Sequence, residues 1–369
     1  MQRRKVLALG LGGIAAPFVL GRNAAMAQGS AKTIVYVSNA GTKDIHVFAM
    51  DRASGELTPL DTVAVPGTEK TSLASLPMAM TPDKRFLYAQ LRAEPYPVSA
   101  YAVDKATGRL KHLGITPLVD QMAYLNTDRS GKFLLGASYV GAKLAIYPIT
   151  REGTVAPQAT QILDTKPKAH CVVVDAANKH VYVPVLGGDE ILELDFDAAK
   201  GTVSPNGPGV IATRKGAGPR HLTFHPNGRW AYLMTETTAT MGAYAVNPDG
   251  TLKELQFVET GSYKEQPAAS DIHVTPDGRF VYGAERKTST LHGFAIDQDK
   301  GTLTPIGSFP TEKTPRGFNI EARGRFLLAV GMDSASLTVH AIDPASGRLS
   351  DLKRYPVGKQ PNWIEFLDL

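Results

Sequence analysis

Five side chains could together make an acid–base and oxyanion site: His170, Arg220, Glu236, Arg286 and Arg316. An imidazole and a carboxylate accept and return protons, and guanidiniums hold a carboxylate or a developing oxyanion through charge-assisted hydrogen bonds. Spacing is what groups them. His170 and Arg220 are 50 residues apart, and so are Glu236 and Arg286. Residues so distant in the chain meet only if a repeated unit brings equivalent positions to one place.

The repeat is legible. Each unit has a short apolar strand, a turn such as Pro276-Asp277-Gly278-Arg279, an aromatic strand, a third strand such as Leu291 to Ile296, and a segment such as Gly301-Thr302-Leu303-Thr304-Pro305. With the aromatic strand as anchor, the units are marked by Tyr36, Tyr88, Leu135, Tyr182, Tyr232, Tyr282 and Leu328, at spacings of 52, 47, 47, 50, 50 and 46. A period near 50 built from short strands and Asp-Gly, Asn-Gly or Ser-Gly turns predicts an all-β fold, a seven-bladed β-propeller. Tyr36 has no preceding strand of its own, whereas Pro361-Asn362-Trp363-Ile364-Glu365-Phe366 matches the strand that precedes the other anchors. One blade is therefore expected to be closed by N- and C-terminal strands, which hides the open edges of the ring.

The columns of this repeat specify the site. Twelve residues before the anchors stand Leu76, Ala123, His170, Arg220, Ser270, Arg316 and, in the shared blade, Asn362. Four after them stand Ala40, Arg92, Tyr139, Leu186, Glu236, Arg286 and Met332. Antiparallel pairing puts both columns at one mouth of the channel, with the five chemical residues on four consecutive blades. Glu236, His170 and Arg220 are the catalytic candidates; Arg286, Arg316, Arg92, His221 and His273 are the substrate-binding candidates. A simpler role exists for each, since an arginine could do no more than pair with Glu236 across its hairpin. Asp271 is placed to orient His221 or Arg316. His225 reads as solvent-exposed beside its turn, and Trp230 and Trp363 read as blade packing.

Residues 1–27 read as a cleavable export signal: Arg3, Arg4 and Lys5, an apolar run from Val6 to Leu20 too short to span a bilayer, and a small-residue site at Ala25-Met26-Ala27. The adjacent arginines favour the twin-arginine route and a periplasmic or secreted product, with residues 28–369 as a single propeller domain. Removing that signal takes away Arg3, Arg4, Lys5 and Arg22 and no acidic residue, so the formal charge of +5 falls by four, to +1. Neither nucleic acid nor, after cleavage, a membrane is implied as partner. Cys171, the single cysteine, sits beside Val172, Val173 and Val174 as buried strand filler. No metal-ligand spacing, nucleophile elbow or phosphate-cradling loop occurs, so no metal or cofactor is expected.

The stretches Gly216-Ala217-Gly218-Pro219-Arg220-His221, Phe224-His225-Pro226, Asp271 to Arg279 and Thr314-Pro315-Arg316-Gly317-Phe318-Asn319 resemble the lactonase family of seven-bladed β-propellers. That family includes bacterial 6-phosphogluconolactonases and a fungal carboxy-cis,cis-muconate cyclase, and the likeness covers essentially the whole chain after the signal. In the cyclase branch a histidine and a glutamate act with carboxylate-binding arginines, which by motif position correspond to His170, Glu236, Arg220 and Arg286. The resemblance implies a small-molecule partner, a lactone or carboxylate, and first of all hydrolysis of a sugar-acid lactone by Glu236 or His170. The export signal shifts that expectation toward an unphosphorylated lactone. Lactone formation on a dicarboxylate, and a non-catalytic propeller that binds a protein or glycan, are the alternatives.

Overall fold

The computed structural model describes residues 32–71 and 73–369; the export-signal reading over residues 1–27 lies outside them. The described residues form seven four-stranded antiparallel sheets. Numbered in chain order, blade 1 consists of Lys32–Asn39, Asp44–Asp51 and Leu57–Ala64 with Pro361–Asp368 as its innermost strand. The innermost strands of blades 2, 3 and 4 are Met78–Met80, Met122–Thr127 and Val173–Val174. Those of blades 5, 6 and 7 are Pro219–Phe224, Ala269–Val274 and Pro315–Ile320.

The expected closure is present. Pro361–Asp368 pairs antiparallel with Lys32–Asn39, with Tyr36 opposite Glu365, and touches the innermost strands of blades 2 and 7. The ring is thereby completed by strands from both ends of the propeller sequence.

Apolar residues form seven seams rather than one central core, each seam lying between two neighbouring blades. Every sheet is consequently covered on both faces. This explains why strands such as Trp230–Thr235 and Phe280–Glu285 are buried at every position instead of alternating. Cys171 fills the seam between blades 4 and 5, where burial pushes its thiol up to about 12, in keeping with a packing role.

A repeated latch ties the seams together. The hydroxyls of Tyr36, Tyr88, Tyr182, Tyr232 and Tyr282 donate to the carbonyls of Gly108, Gly153, Gly250, Gly301 and Gly347 on the next blade. The acceptor must be glycine. At Gly301, φ is +71° and an added Cβ would lie 2.5 Å from the Trp230 ring, which packs flat against the turn. Leu135 and Leu328 cannot make the bond; their junctions, from blade 3 to 4 and from blade 7 to 1, keep the ring-on-glycine contact, Phe133 on Gly201 and Phe326 on Gly55, and at the first of them Thr160 Oγ1 donates to the Gly201 carbonyl instead, at 2.6 Å. At the closing junction other bonds compensate: the Leu57 amide donates to Tyr355, and Arg325 donates to the carbonyls of Arg52 and Ala53.

Deleting the residues after Lys359 removes the innermost strand of blade 1 and bares two seams. Urea unfolding followed by circular dichroism should then lose its cooperative transition, and a truncated chain that melted like the parent would rule out the closure. A milder lesion, Tyr282→Phe, leaves the Gly347 carbonyl unpaired in a buried seam and should lower the unfolding free energy by about 1–2 kcal/mol in the same titration.

Candidate active site

The two sequence columns meet at one mouth, by a route that alternation alone does not reveal. In blades 1, 3, 5, 6 and 7 the innermost strand carries one extra residue where the first column falls, marked by register shifts at Asn362, Ala123, Arg220, Ser270-Asp271 and Arg316. Blade 4 has the same irregularity between Ala169, opposite Val185, and Val173, opposite Tyr182, where His170 lies. A β-bulge breaks the two-residue period and re-aims side chains. Successive residues such as Arg220 and His221 therefore both reach the site. The second column begins where the second strands stop: Glu236 directly follows Trp230–Thr235, and Arg286 directly follows Phe280–Glu285.

Glu236 lies between two arginines. Its Oε2 accepts from Arg220 Nε at 2.8 Å, and its Oε1 pairs with Arg286 Nη2 at 3.1 Å across the junction of blades 5 and 6. Burial alone would raise the carboxyl, but Arg220 and Arg286 outweigh it and hold it below the usual range. Glu236 is therefore ionised and a weak base. Arg220 is only 1% exposed and also donates to the Ser270 carbonyl, so it acts as a fixed charge behind Glu236. Burial pushes its guanidinium down to about 10, which leaves it charged at neutral pH.

Arg286 is further anchored by its Nε to the Ala268 carbonyl at 2.8 Å, yet its side chain stays 18% exposed. Arg92, from blade 2, donates to Ser75 Oγ at 3.1 Å and keeps a buried Nε without a partner. Arg316 has no hydrogen bond or ion pair among the described residues and is only half-buried. Burial, and then the guanidiniums of Arg220, Arg92 and Arg286, pull its pKa well below the ordinary arginine value. Arg220, Arg286 and Arg316 thus act on Glu236, while Asp271 faces Arg220 and Asp120 faces Arg92. The four guanidiniums still leave an excess of positive charge, which favours an anionic ligand or transition state.

His170 is buried and makes no side-chain hydrogen bond among the described residues; its Nδ1 has no partner. Its ring stands edge-on to Tyr139 at 5.5 Å and 5.1 Å from the His221 ring. Burial, then Arg220, His221, Arg316 and Arg92, hold its pKa well below the usual histidine range. It is a neutral imidazole at physiological pH with a lone pair on one ring nitrogen, although burial and the nearby guanidiniums oppose its protonation.

Below the mouth the channel is closed by aromatic contact. Tyr124 of blade 3 meets the His221 ring at 5.0 Å and the Trp363 ring at 4.9 Å, joining blades 3, 5 and 1 across the axis. These contacts put an aromatic floor beneath the mouth residues. Trp363, expected as blade packing, is also part of that floor: its bulged strand turns the ring to the axis, where Nε1 donates to Glu365 at 3.1 Å. Tyr124 is not singled out by the columns, although the positions one step beyond the first column, Tyr124, His221, Asp271 and Trp363, would have marked it. His221 is held by Asp271 at 2.8 Å, and His273 reaches the other carboxylate oxygen at 3.3 Å, two residues further along the strand than Asp271. Asp271 thus joins His221 and His273 rather than Arg316. His225 is a correction. It is only 4% exposed, because the turn of the next blade packs against it and Gly278 O accepts from its Nε2 at 2.9 Å. Trp230 is buried packing, as expected. Among the described residues no group of three or more His, Cys, Asp or Glu could hold a metal ion.

The closed seven-sheet ring has direct counterparts. Residues 36–366 match the family model described as lactonase, 7-bladed β-propeller, and the chain belongs to that family. Among its relatives, the 6-phosphogluconolactonase of Pectobacterium carotovorum subsp. carotovorum is 37% identical over 288 residues, 77% of this chain and 83% of the relative. That of Yersinia pestis strain Pestoides F is 38% identical over 294 residues, 78% of this chain and 84% of the relative. A crystal structure of a protein described as a putative 6-phosphogluconolactonase from Bacteroides fragilis superposes with a TM-score of 0.83 at 28% identity, covering 93% of this chain and 99% of that one. A structure described as a Pseudomonas aeruginosa periplasmic gluconolactonase superposes with a TM-score of 0.81 at 25% identity, over 91% and 99% of the two chains.

Because Arg220 is buried against Glu236, removing the carboxylate leaves an uncompensated cation beneath the pocket. Glu236→Gln should lower the unfolding free energy by about 2–4 kcal/mol in a urea titration at pH 7, a loss that 1 M salt diminishes only in part.

Proposed function

We propose that this chain hydrolyses a sugar-acid lactone at the arginine-rich mouth, with His170 as general base. The observation that carries this reading is the division of roles between the two proton acceptors. Glu236 has both oxygens engaged by arginines, whereas His170 is neutral and unbonded. His170 takes a proton from water as its oxygen attacks the lactone carbonyl. Arg286 and Arg316, with Arg220 behind Glu236, stabilise the tetrahedral oxyanion. Collapse breaks the bond from the carbonyl carbon to the ring oxygen, and the His170 imidazolium returns the proton to that oxygen, leaving an open-chain acid. Arg92 and the remaining donors bind hydroxyls of the sugar chain.

Family membership and relatives described as lactonases support the reaction class. An unphosphorylated lactone in the periplasm is the finer part of the proposal. It rests on the basic start and apolar run within residues 1–27 and on the likeness to a protein described as a periplasmic gluconolactonase. The unpartnered Arg316 favours a second reading, closure of a dicarboxylate into a lactone, in which it and Arg286 grip carboxylates. A scaffold role would account for the Arg220–Glu236–Arg286 staple but not for the unbonded Arg316 or His170.

Gluconolactone, 6-phosphogluconolactone and muconolactones assayed side by side decide among these. Gluconolactone should be turned over at least as well as its phosphorylated analogue. His170→Ala should lower kcat by about 10³-fold and Glu236→Gln by about 10²-fold. Activity only on muconolactones would support the cyclising reading, and no turnover of any lactone would end the enzymatic one.

A further inference from the structure

Beneath His170 lies a pair of side chains to which the reaction above assigns no task. Asp271 is held by four donors: Oδ1 accepts from His221 Nδ1 at 2.8 Å and the Ile272 amide at 3.0 Å, and Oδ2 from the Phe318 amide at 3.2 Å and His273 Nε2 at 3.3 Å. Such a carboxylate is ionised. Burial would raise it, but His273 and His221 more than offset that and hold it far below the usual range. With no proton on Asp271, the proton in its bond to His221 must be on Nδ1, which makes Nε2 of His221 the lone-pair nitrogen. That Nε2 is buried and has no partner, and the neighbouring ring, 5.1 Å away, is that of His170, whose Nδ1 is likewise buried without a partner.

We propose that Asp271 and His221 form a positioning pair for His170: Asp271 fixes the His221 tautomer, and His221 Nε2 accepts from His170 Nδ1–H as the reaction proceeds, leaving His170 Nε2 as the base. The inference rests on His170 being the general base. Its physical motive is charge. Arg220, Arg316 and Arg92 all face His170 and oppose its becoming an imidazolium. His221 faces Arg220, Arg316 and Asp271, while Asp271 is faced in turn by His273 and, from blade 1, by Glu365. Asp271 is thus the anion placed to offset the arginines, and His221 is the group that transmits it. Both imidazoles stay neutral at rest, His221 being pushed down to about 4 by burial and Arg220 despite Asp271. The proton abstracted from water stays on His170 Nε2 and returns from there to the leaving oxygen, while the Nδ1 proton remains on His170 and is only hydrogen-bonded by His221 Nε2.

The pair is tested by nitrogen-15 NMR of the imidazoles together with kinetics of the full chain on gluconolactone. Wild type should show His221 protonated at Nδ1 and His170 protonated at Nδ1, with Asp271→Asn inverting the His221 tautomer. In Asp271→Asn, kcat should fall roughly 10²-fold with KM within about twofold. The acid limb of the kcat/KM profile should move to lower pH, because losing the anion disfavours the imidazolium. A lesion that only loosened the fold would lower the plateau without moving the limb. His221→Phe keeps a ring against Tyr124 and Trp363 and should show the same kcat loss. His221 protonated at Nε2 in wild type, or an unchanged kcat and acid limb in Asp271→Asn, would overturn the inference. If wild type hydrolyses no lactone, the functional reading fails, and the tautomer spectra still decide the geometry of the pair.

Discussion

Each blade of this protein is a sheet with two apolar faces, and that constraint governs everything else. A sheet wet on one side can rest on a single partner, but a sheet that is apolar on both sides needs two. A ring satisfies every blade without leaving an end face bare, provided the last blade meets the first. The seven interblade seams answer this need, and the strand Pro361–Asp368 completes the last two. The tyrosine-to-glycine latches add direction to what is otherwise non-specific apolar contact, since a hydroxyl reaching the carbonyl of the next blade fixes how far one sheet is rotated against another.

The site exploits an irregularity of the innermost strands. The innermost strands carry bulges at the mouth, so the same repeat that builds the scaffold also releases side chains there from strict alternation. Polar residues at these bulges divide between structural and chemical tasks. Asn362 accepts from the Leu76 amide and Ser270 donates to the Pro315 carbonyl, tying neighbouring blades. Arg220 does both, bonding the Ser270 carbonyl of the next blade while charging Glu236. Stability and chemistry are therefore linked at Arg220 through shared bonds.

Much of this architecture is legible in the amino-acid sequence itself. The fifty-residue period specifies the number of blades, the terminal closure, and the meeting of Arg220, Glu236 and Arg286, because equivalent positions in a ring differ mainly by a rotation. What the columns do not supply is contact across the axis, which depends on side-chain length and bulge geometry rather than on rotation. Tyr124 and Trp363 escape notice as floor residues for that reason, and Asp271 stands out as an orienting residue without its partner being fixed. His225 differs in kind: a turn residue is normally wet, but here the glycine turn of the adjacent blade covers it. Hydrogen-bond occupancy also lies beyond sequence reading. Only the folded geometry separates the engaged Glu236 from the unbonded His170 and Arg316.

The floor of the pocket has a temporal meaning. Trp363 comes from the last strand of the propeller, yet it meets Tyr124 and His221, which are encoded far earlier. A ribosome that has finished the first six blades has therefore produced every guanidinium of the mouth except Arg316, but only part of the floor, Tyr124 and His221 without Trp363. The floor is complete only when Pro361–Asp368 has emerged and docked. Ring closure and completion of the floor are one event, because the same strand supplies both.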